Sequence, residues 1–370
     1  MQLPILDKYL RGNLMSNYKT NLLSLLPEDL ESFMSTLGQP RYRAMQIFER
    51  IHSGNGATLD DVTNIPASLR EKLRESGYDV FPVKIAERLE SKLDGTKKYL
   101  FELHDGNVIE SVLMEYKHGF SICISSQVGC RMGCSFCAST VDGRIRDLDA
   151  GEMLGQIYAI QKREGIRIHS LVIMGSGEPM DNFDNVVRFL TLISDPLGLN
   201  LSGRNITVST CGLVEKMREL ADMKFTLTLA VSLHSPTDEL RQTFMPVAKK
   251  YSIAQIMDAA DYYFEQTGRR VTFEYSLIKG VNDTPECAQE LSKLLAGKNT
   301  HVNLIPVNPI KERKWERSSD NNVSAFKLML EKNRINVTIR RGMGADIDAA
   351  CGQLRRRYLG LEGPQEHETR

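Results

Sequence analysis

Three cysteines on one short loop are the residues of this sequence best suited to chemistry. Cys130, Cys134 and Cys137 lie within Gly-Cys-Arg-Met-Gly-Cys-Ser-Phe-Cys-Ala, at the spacing C-x3-C-x2-C. Closely spaced thiolates select iron–sulfur clusters, zinc or copper(I). A structural zinc site needs four protein ligands and no fourth thiolate follows nearby, so the spacing favours a four-iron, four-sulfur (4Fe–4S) cluster in which one iron lacks a protein ligand. A zinc site completed by a distant His or Cys, or thiols that bind no metal, are the alternatives.

A second candidate site is the turn Met174-Gly175-Ser176-Gly177-Glu178-Pro179, which follows a predicted strand. Its glycines allow the backbone to approach a ligand closely, and Glu178 offers a carboxylate to the cationic amine of an amino acid. A Gly-Ser-Gly sequence after a strand is more often only a turn. Its position one crossover after the cysteine loop favours a binding role for Glu178.

Two further cysteines could act as reactive thiols. Cys351 lies among small residues near the end of the chain, after the strand-like run Val337 to Arg340. A lone cysteine in such surroundings is commonly inert and buried, but this segment could also carry a nucleophile into a site. Cys123, on the strand that enters the cysteine loop, could serve as a partner thiol. Cys211 and Cys287 are interpreted as structural, because neither belongs to a group with ligand spacing.

The composition excludes several classes of protein. With 41% hydrophobic and 25% charged residues, the chain is typical of an ordinary globular protein. It has no apolar run near the ~20 residues of a membrane span, and its N-terminus lacks the apolar core of a signal peptide. Seven cysteines, three of them on one loop, suit a reducing compartment better than a disulfide scaffold. We therefore expect a cytoplasmic protein that does not bind membranes.

Nucleic-acid binding would have to come from local basic patches, because 47 Lys and Arg residues balance 47 Asp and Glu residues. Such patches flank both the cysteine loop and Cys351, and we interpret them as contacts to a polyanion, with a solvated surface as the alternative. They comprise Arg131, Arg144, Arg146, Arg340, Arg341 and Arg355 to Arg357. The basic residues of the N-terminal helices fit a solvated surface as well as an RNA contact. These are Arg41, Arg43, Arg50 and Arg70.

The hydrophobic periodicity predicts the elements that position these residues. Residues 1–82 are predicted to form a small helical accessory domain, and residues 83–118 a β-hairpin linker that turns at Asp105-Gly106. Within residues 119–350, six β-type runs alternate with helix-type runs. The β-type runs are Ser121–Ser126, Ser170–Met174, Asn205–Ser209, Thr226–Ser232, Val271–Leu277 and Val302–Pro306. Such units predict an α/β fold with a parallel sheet in a partial (β/α)6 barrel, its chemistry on loops after the strands. Residues 351–370 form a C-terminal segment.

Several motifs together resemble the RlmN family of the radical S-adenosylmethionine (SAM) superfamily. Besides the cysteine loop and Met174–Pro179, the resemblance rests on Ser125–Cys130, Ser232–His234, Asn303–Pro306 with Asn308, and Asp346–Leu354. It covers nearly the whole chain. The resemblance implies a radical SAM barrel and an enzyme that methylates carbon 2 of adenosine 2503 in 23S rRNA and of adenosine 37 in certain tRNAs.

The resemblance also implies a role for each matching residue. Cys130, Cys134 and Cys137 would ligate one 4Fe–4S cluster. SAM would be contacted by Gly177, Glu178, Ser209, Ser232, Leu233, His234 and Asn308. Glu110 would be the proton acceptor, Cys351 the cysteine that becomes methylated, and Cys123 the thiol that resolves the intermediate. Cys211 stands where the family more often has Ser, a departure that does not disturb these assignments.

The implied reaction explains why two cysteines outside the cluster loop are needed. Carbon 2 of adenine is electrophilic, so a polar methyl transfer from SAM is not available. A first SAM would methylate Cys351 by displacement, and a radical from a second SAM would activate the S-methyl group for addition to the base. Glu110 would then remove the ring proton, and Cys123 would form a transient disulfide that releases the methylated base. The expected partners are 23S rRNA, tRNA and a reductant protein such as flavodoxin or ferredoxin, with the enzyme itself a monomer.

Two other functions remain open from the sequence. A related antibiotic-resistance methyltransferase performs the same chemistry at carbon 8 of the same rRNA adenosine. The complete N-terminal helical module and the context of Glu110 favour carbon 2. The other alternative is a noncatalytic zinc-dependent RNA-binding protein, which requires tetrahedral zinc at the three cysteines and no SAM turnover.

Overall fold

Three short helices form an N-terminal module in the computed structural model, which describes residues 20–53, 56–310, 313–347 and 358–360. They are α1 (Pro27–Thr36), α2 (Tyr42–Ser53) and α3 (Ala67–Glu75). Each helix buries one apolar stripe, as its sequence periodicity predicts, and Leu30, Ile47 and Leu73 are completely buried. Two short strands, β1 (Thr20–Asn21) and β2 (Tyr78–Asp79), pair in parallel and join the two ends of the module.

Ten further strands form one continuous sheet with an antiparallel and a parallel half. The antiparallel half contains β3 (Lys84–Glu90), β4 (Lys97–Glu102), β5 (Val108–Tyr116) and β6 (Gly119–Ile124). After β6, the chain forms a separate antiparallel pair, β7 (Gln127–Gly129) with β8 (Arg144–Asp147). The parallel half starts at β6 and continues through six strands. These are β9 (Ile168–Ile173), β10 (Ile206–Thr210), β11 (Thr228–Ser232), β12 (Val271–Leu277), β13 (Thr300–Pro306) and β14 (Asn336–Ile339).

Seven helices of the described chain connect the parallel strands. They are α4 (Ala150–Glu164), α5 (Phe183–Ser194), α6 (Val214–Asp222), α7 (Asp238–Phe244), α8 (Ile253–Thr267), α9 (Pro285–Leu295) and α10 (Asp320–Lys332). Their apolar sides share one core with the sheet. Within the described residues, no helix has both the length and the apolarity needed to cross a membrane.

The two faces of the parallel strands differ in residue type. Val208, Leu229 and Phe273 are completely buried in the core shared with the helices. Their neighbours Thr207 and Thr228 point to the other face, because side chains alternate along a strand, and they are only half-buried. We call this polar side of the sheet the inner face. A face lined by hydroxyl groups and partly open to solvent is suited to a ligand rather than to packing.

All six strands predicted for the barrel are present, with ends within two residues of their predicted positions. The sheet extends further than predicted at both edges. β14 adds a seventh parallel strand, and the predicted hairpin linker is hydrogen-bonded into the same sheet through β5 and β6. β3 and β14 are the edges of the described sheet, so the barrel is open.

Buried polar contacts attach the N-terminal module to the helices of the barrel. Arg188 on α5 is only 8% exposed and forms an ion pair with Asp29 on α1. The His52 ring on α2 hydrogen-bonds to the Tyr158 hydroxyl on α4 through Nδ1, at 2.9 Å. Because both contacts are removed from water, they fix the module in one position against the barrel.

Candidate active site

The cysteine loop connects β7 with β8, and two glycines shape it. Gly129 (φ +76°) and Gly133 (φ +72°) adopt left-handed conformations, and a Cβ atom on Gly129 would lie 2.0 Å from the carbonyl oxygen of Gly143. Thr140 donates through its hydroxyl to the carbonyl oxygens of Cys134 and Cys137, each at 2.9 Å. The loop backbone is therefore held by the protein itself.

Burial controls the chemistry of the three loop thiols. Cys130 and Cys134 are 6% and 8% exposed, and Cys137 is half-buried. Burial raises the pKa of Cys130 to about 12 and also raises that of Cys134, and the neighbouring thiolates of the loop act in the same direction. Thiolate ligands therefore form here together with a cation that replaces their protons. No three His, Cys, Asp or Glu side chains of the described chain are grouped to hold a single metal ion. A 4Fe–4S cluster would not require such a group, because each cysteine would bind a different iron.

An apolar cluster surrounds the thiol of Cys134. Its buried members include Cys211, Phe244 and Met245. Trp315 closes the other side of the loop by donating from its indole N–H to the carbonyl oxygen of Ser135, at 3.0 Å. The potential of an iron–sulfur cluster depends on solvent exposure and nearby hydrogen bonds. The donor set and its dry surroundings fit a cluster bound by three thiolates.

Arg241 on α7 is a buried positive charge beside this loop. The side chain is completely buried and donates to the carbonyl oxygens of Cys211 (2.7 Å), Leu233 (3.0 Å) and Ser232 (3.1 Å). Within the described residues, no carboxylate is hydrogen-bonded to it. Burial lowers the pKa of Arg241, and the thiols of Cys211 and Cys134 oppose that effect. The guanidinium holds the ends of two strands together and places a cation beside Cys134.

Glu178 is held by backbone groups on both of its oxygens. The N–H of Met180 donates to Oε1 at 3.0 Å and the N–H of Cys211 donates to Oε2 at 2.7 Å. Burial raises the pKa of Glu178, and these donors lower it again. Gly177 (φ +110°) lies so close to Gln127 that a Cβ atom would be 2.6 Å from the Gln127 side chain. The side chains of Thr210 and Cys211 also hydrogen-bond to Glu178 and lower its pKa. The ammonium group of a ligand would take the place of one of these side-chain donors.

His234 is a buried neutral imidazole in a left-handed backbone conformation (φ +58°). Its Nδ1 accepts a hydrogen bond from the backbone N–H of Ser276 at 2.9 Å, so the ring proton is on Nε2. Burial and the charge of Arg241 lower the pKa of His234 to about 3. The ring meets Phe136 of the cysteine loop edge to face, with centroids 5.0 Å apart. The loop and the end of β11 are therefore in direct contact.

The other residues expected to contact SAM lie at the carboxyl ends of neighbouring strands. Ser209 is near the end of β10 and Ser232 ends β11, and both are half-buried. Leu233 is completely buried, and its backbone accepts from Arg241. Asn308 is exposed on the loop after β13. These positions share the edge of the sheet from which Glu178 and the cysteine loop emerge, as the parallel topology requires.

Glu110 and Cys123 lie on the inner face of adjacent strands. Val112 on β5 is paired with Cys123 on β6, so Glu110, two residues before Val112, shares their face. Glu110 is 5% exposed and forms an ion pair with the completely buried Lys98 on β4, with Nζ and Oε2 3.2 Å apart. Sequence analysis missed Lys98, because a lysine in a hairpin strand is usually exposed and only the pairing of β4 with β5 places it beside Glu110.

Cys351 lies outside the described residues, but the segment that leads to it is anchored beside Cys123. Met343 packs against the apolar group that contains the Cys123 side chain. Asp346 accepts a hydrogen bond from the Ser91 hydroxyl at 2.6 Å. Met343 thus lies beside the part of the inner face that holds Cys123, and Asp346 is bonded to the turn between β3 and β4.

Comparisons with known proteins agree with this geometry. Residues 124–291 match the sequence profile of the radical SAM superfamily, and residues 20–78 match that of the ribosomal RNA large subunit methyltransferase N-terminal domain. A probable dual-specificity RNA methyltransferase RlmN of Lachnospira eligens is 57% identical over 342 residues, which cover 92% of this chain and 97% of the relative. The corresponding protein of Lachnoclostridium phytofermentans is 58% identical over 94% of this chain and 98% of its own length.

The chain belongs to the RlmN family. A crystal structure of a radical SAM methyltransferase from Sphaerobacter thermophilus superposes with a TM-score of 0.85 at 41% identity, covering 90% of this chain and 98% of that one. The predicted fold, an open radical SAM barrel with an N-terminal helical domain, is confirmed. RlmN-family membership makes the protein a radical SAM RNA methyltransferase, implies SAM and a 4Fe–4S cluster as cofactors, and argues against a noncatalytic zinc protein.

Cys211 occupies an unexpected place in this RlmN-family site. Predicted to be structural, it is buried as expected, but it lies between Cys134 and Glu178. Burial and the Glu178 carboxylate raise the pKa of the Cys211 thiol well above its usual value, so the thiol is a neutral group there. No spacing rule could have found this position, because Cys211 is 33 residues from Glu178 in the chain.

The arginines around the cysteine loop have carboxylate partners that the sequence did not suggest. Each is part of an ion pair, and Arg144 and Arg146 each contact two carboxylates. The pairs are Arg131 with Asp181, Arg144 with Asp147 and Asp181, and Arg146 with Asp105 and Glu152. On the N-terminal module, Arg43, Arg50 and Arg70 donate to backbone carbonyl oxygens of the module itself. By contrast, Arg340 and Arg341 are exposed, and Arg355 to Arg357 lie outside the described residues.

Proposed function

We propose that this RlmN-family enzyme methylates carbon 2 of adenosine 2503 in 23S rRNA and of adenosine 37 in tRNAs, through a methylated Cys351 and with two SAM molecules per turnover. The observation that carries the proposal is a hydrogen-bonded link between Glu110, the proposed proton acceptor, and the turn that contains Glu178, the proposed SAM contact. The Ser125 hydroxyl donates to the backbone oxygen of Glu110 at 2.7 Å and accepts from the backbone N–H of Ser176 at 3.0 Å. One residue thus connects the strand of Glu110 with the turn of Glu178.

In this proposal the residues at the loop end hold the cofactors. Cys130, Cys134 and Cys137 would hold a 4Fe–4S cluster, which would supply the electron for reductive cleavage of SAM. Glu178, fixed by two backbone N–H groups, accepts from the amino group of SAM in place of a side-chain donor, Thr210 or Cys211. The proton on Nε2 makes His234 a neutral donor, which does not repel the sulfonium charge.

The residues of the inner face handle the protons and thiols of the reaction. Cys351 accepts a methyl group and later carries the base as a covalent adduct. Glu110 accepts the proton from carbon 2, and the neighbouring Lys98 compensates its negative charge in a buried position. Besides this proton the adduct loses one electron, which would return to the oxidised cluster. The Cys123 thiolate then attacks the sulfur of Cys351 and forms a disulfide; the bond between that sulfur and the methylene carbon breaks, and the carbon keeps the electron pair and takes up a proton to become the methyl group.

The decisive experiment is anaerobic incubation of the iron-reconstituted protein with SAM, a reductant and fragments of 23S rRNA or tRNA, followed by mass spectrometry of the nucleosides. We expect 2-methyladenosine. A product of 8-methyladenosine would instead assign the enzyme to the carbon 8 relative.

The covalent mechanism is tested by two cysteine variants. Cys351→Ala should bind iron normally and yield no methylated RNA. The matched variant Cys287→Ala, on α9 away from the site, should bind iron and methylate RNA as the wild-type enzyme does. Full methylation by Cys351→Ala would refute the covalent mechanism.

The proposal also specifies the partners. The enzyme acts as a cytoplasmic monomer that receives electrons from a small reductant protein of the flavodoxin or ferredoxin type. Light scattering of the purified protein tests the monomer, and replacement of the chemical reductant by reduced flavodoxin tests the electron source.

A further inference from the structure

A cavity on the inner face is not accounted for by the cluster or by SAM. It has a volume of about 260 Å3, and its lining includes Met114, Met174, Glu274, Asn303 and Arg340. None of the residues expected to contact SAM, and none of the three loop cysteines, belongs to this lining. The cavity therefore lies next to the proposed SAM contacts without including them, because the Glu274 carbonyl oxygen accepts hydrogen bonds from the backbone N–H groups of Leu233 and His234, at 3.1 and 3.2 Å.

The cavity adjoins the thiol that is proposed to resolve the RNA adduct. Met114 and Met174 belong to the same apolar group as Cys123, and Val172, another residue of the lining, is the cross-strand partner of Cys123. A group held in the cavity is thus adjacent to Cys123. In the proposed reaction, the group that must lie there is the base attached to Cys351.

Glu274 is a buried carboxyl group in the cavity with an oxygen that can accept a hydrogen bond from a ligand. It is 4% exposed, and its Oε2 accepts a hydrogen bond from the Asn303 amide at 2.9 Å. Within the described residues, this is the one hydrogen bond to the carboxylate. Asn303 is itself oriented by the Thr338 hydroxyl, at 3.3 Å from its Oδ1. Burial raises the pKa of Glu274, while the charge of Arg340 and the Asn303 hydrogen bond oppose this effect. A buried carboxyl group with unused acceptor capacity is unfavourable unless a ligand donates to it.

The dimensions and the rim of the cavity fit one nucleobase. Pockets for drug-sized ligands measure about 300–1,000 Å3, so a cavity slightly below that range suits a single heterocycle. The rim carries Tyr116, which is 39% exposed, and the exposed Arg340. An aromatic ring and a guanidinium are the groups that stack on bases and pair with phosphates.

We propose that Glu274 determines the specificity for the target base, its free carboxylate oxygen accepting a hydrogen bond from the 6-amino group of the flipped adenine while Asn303 holds the carboxylate in position. This inference rests on the proposed function and adds the residue that distinguishes adenine from 6-oxo purines. A 6-oxo group would place an acceptor opposite the carboxylate oxygen and be rejected.

SAM also contains adenine, so the test must distinguish binding of the RNA adenine in this cavity from binding of the SAM adenine. The lining favours the RNA base, because it contains Cys123 neighbours and none of the expected SAM contacts. Methylation of Cys351 needs SAM but no RNA, and its SAM dependence reports on SAM binding alone. The rate of RNA methylation reports in addition on binding of the target adenine.

The test uses Glu274→Gln in the full-length, iron-reconstituted enzyme. Asn303 donates to Oε2, so a Gln side chain turns its amide oxygen to Asn303 and its NH2 group to the cavity. The cavity-facing atom changes from acceptor to donor. We expect kcat/KM for adenosine-containing RNA to fall about 10- to 100-fold, the range for a hydrogen bond to a charged group. The inhibition constant of the same RNA with inosine at the target position should fall relative to wild type, because a donor now faces its 6-oxo group.

Controls separate the inference from the proposed function. Glu290→Gln makes the same chemical change on the exposed surface of α9 and should leave kcat/KM unchanged. Wild-type kcat/KM in Glu274→Gln would overturn the inference, as would a raised SAM requirement for Cys351 methylation with unchanged use of RNA. Failure of the wild-type enzyme to methylate either RNA would defeat the proposed function, and the inference with it. Thermal unfolding of each variant confirms that the comparison is between folded proteins.

Discussion

The loop end of the barrel and its inner face stabilise buried polar groups in opposite ways. At the loop end, Arg241, Glu178 and His234 are held by backbone carbonyl or N–H groups. On the inner face, Glu110 is paired with the Lys98 side chain and Glu274 with the Asn303 side chain. The first set is as rigid as the ends of the strands. The second can change its partners by rotating side chains.

The difference corresponds to what each region must do. Cofactors that bind in one geometry need donors and acceptors that are already in place, which backbone groups provide. A substrate base that enters, becomes covalently attached and leaves needs groups that exchange hydrogen bonds and protons during the reaction. The distribution of partners therefore separates the binding of the cofactors from the handling of the substrate.

The largest effect is expected from Arg241→Met, which removes the charge that holds the loop end together. Three carbonyl oxygens within 3.1 Å of the guanidinium lose their donor in a buried region. At about 1–3 kcal/mol for each of the three unsatisfied groups, we expect a loss of about 3–9 kcal/mol in the free energy of unfolding. Urea unfolding measures this loss, and iron analysis after reconstitution should find less iron per chain.

Arg218→Met is the control for Arg241→Met. Arg218 pairs with Asp258 at the surface, where an ion pair contributes about 0–1 kcal/mol. Equal stability losses in the two variants would show that burial of Arg241 has no special role at the loop end.

A smaller effect is expected when the ion pair of the inner face is broken. Lys98→Met leaves Glu110 in a buried position without its cation, and we expect a loss of about 3 kcal/mol in the free energy of unfolding. The double variant Lys98→Met/Glu110→Met should recover most of that loss, because an apolar pair replaces two charges. It should still methylate no RNA while forming methylated Cys351. A double variant as unstable as Lys98→Met would show that the pair does not act as a unit.

Acid should lower the free energy of unfolding through two buried histidines, one in the barrel and one in the N-terminal module. The pKa of His234 at the loop end and that of His52 in the N-terminal module are both lowered to about 3 by burial. The unfolded chain therefore binds more protons between pH 6.5 and pH 3, so stability is fully present above this window and falls as the pH decreases through it. Each histidine should contribute a loss of about 2 kcal/mol between pH 7.5 and pH 5.

His52→Gln separates the two contributions. Over this pH range the variant should lose about 2 kcal/mol less of its unfolding free energy than wild type does, measured by urea unfolding at both pH values. An unchanged pH dependence would mean that His52 takes up no proton on unfolding.

The sequence predicts the framework of the site better than the contacts inside it. Alternation of apolar and polar residues identified the strands, because one face of the sheet packs against the helices and the other is partly open to solvent. The cysteine spacing located the loop. The inner-face strand Val-Thr-Phe-Glu-Tyr-Ser carries Glu274 in the same alternation. Nothing in that pattern distinguishes a buried carboxylate in a cavity from an exposed one, because exposure is decided by the strands on either side.

Contacts between distant parts of the chain account for most of what sequence analysis missed. Arg241 follows Asp238, Glu239 and Leu240 on a short helix and has the pattern of a solvated residue, yet its partners lie at the ends of β10 and β11. Their identity depends on how α7 packs, which no local rule describes. The hairpin was predicted, but its incorporation into the main sheet depends on the pairing of β5 with β6.

The smallest effects should distinguish paired from unpaired arginines in RNA binding. Arg131 is 58% exposed but forms an ion pair with Asp181, whereas Arg340 is exposed at the rim of the inner-face cavity. A phosphate contact by an arginine releases about one counterion, so Arg340→Gln should reduce the slope of log affinity against log salt concentration by about one. Arg131→Gln should change this slope little, because Asp181 already neutralises the charge, and should cost at most about 1 kcal/mol in stability. Fluorescence titration of a labelled RNA fragment at several salt concentrations measures both slopes. A larger decrease for Arg131→Gln than for Arg340→Gln would place the RNA backbone beside the cysteine loop and not at the rim of the cavity.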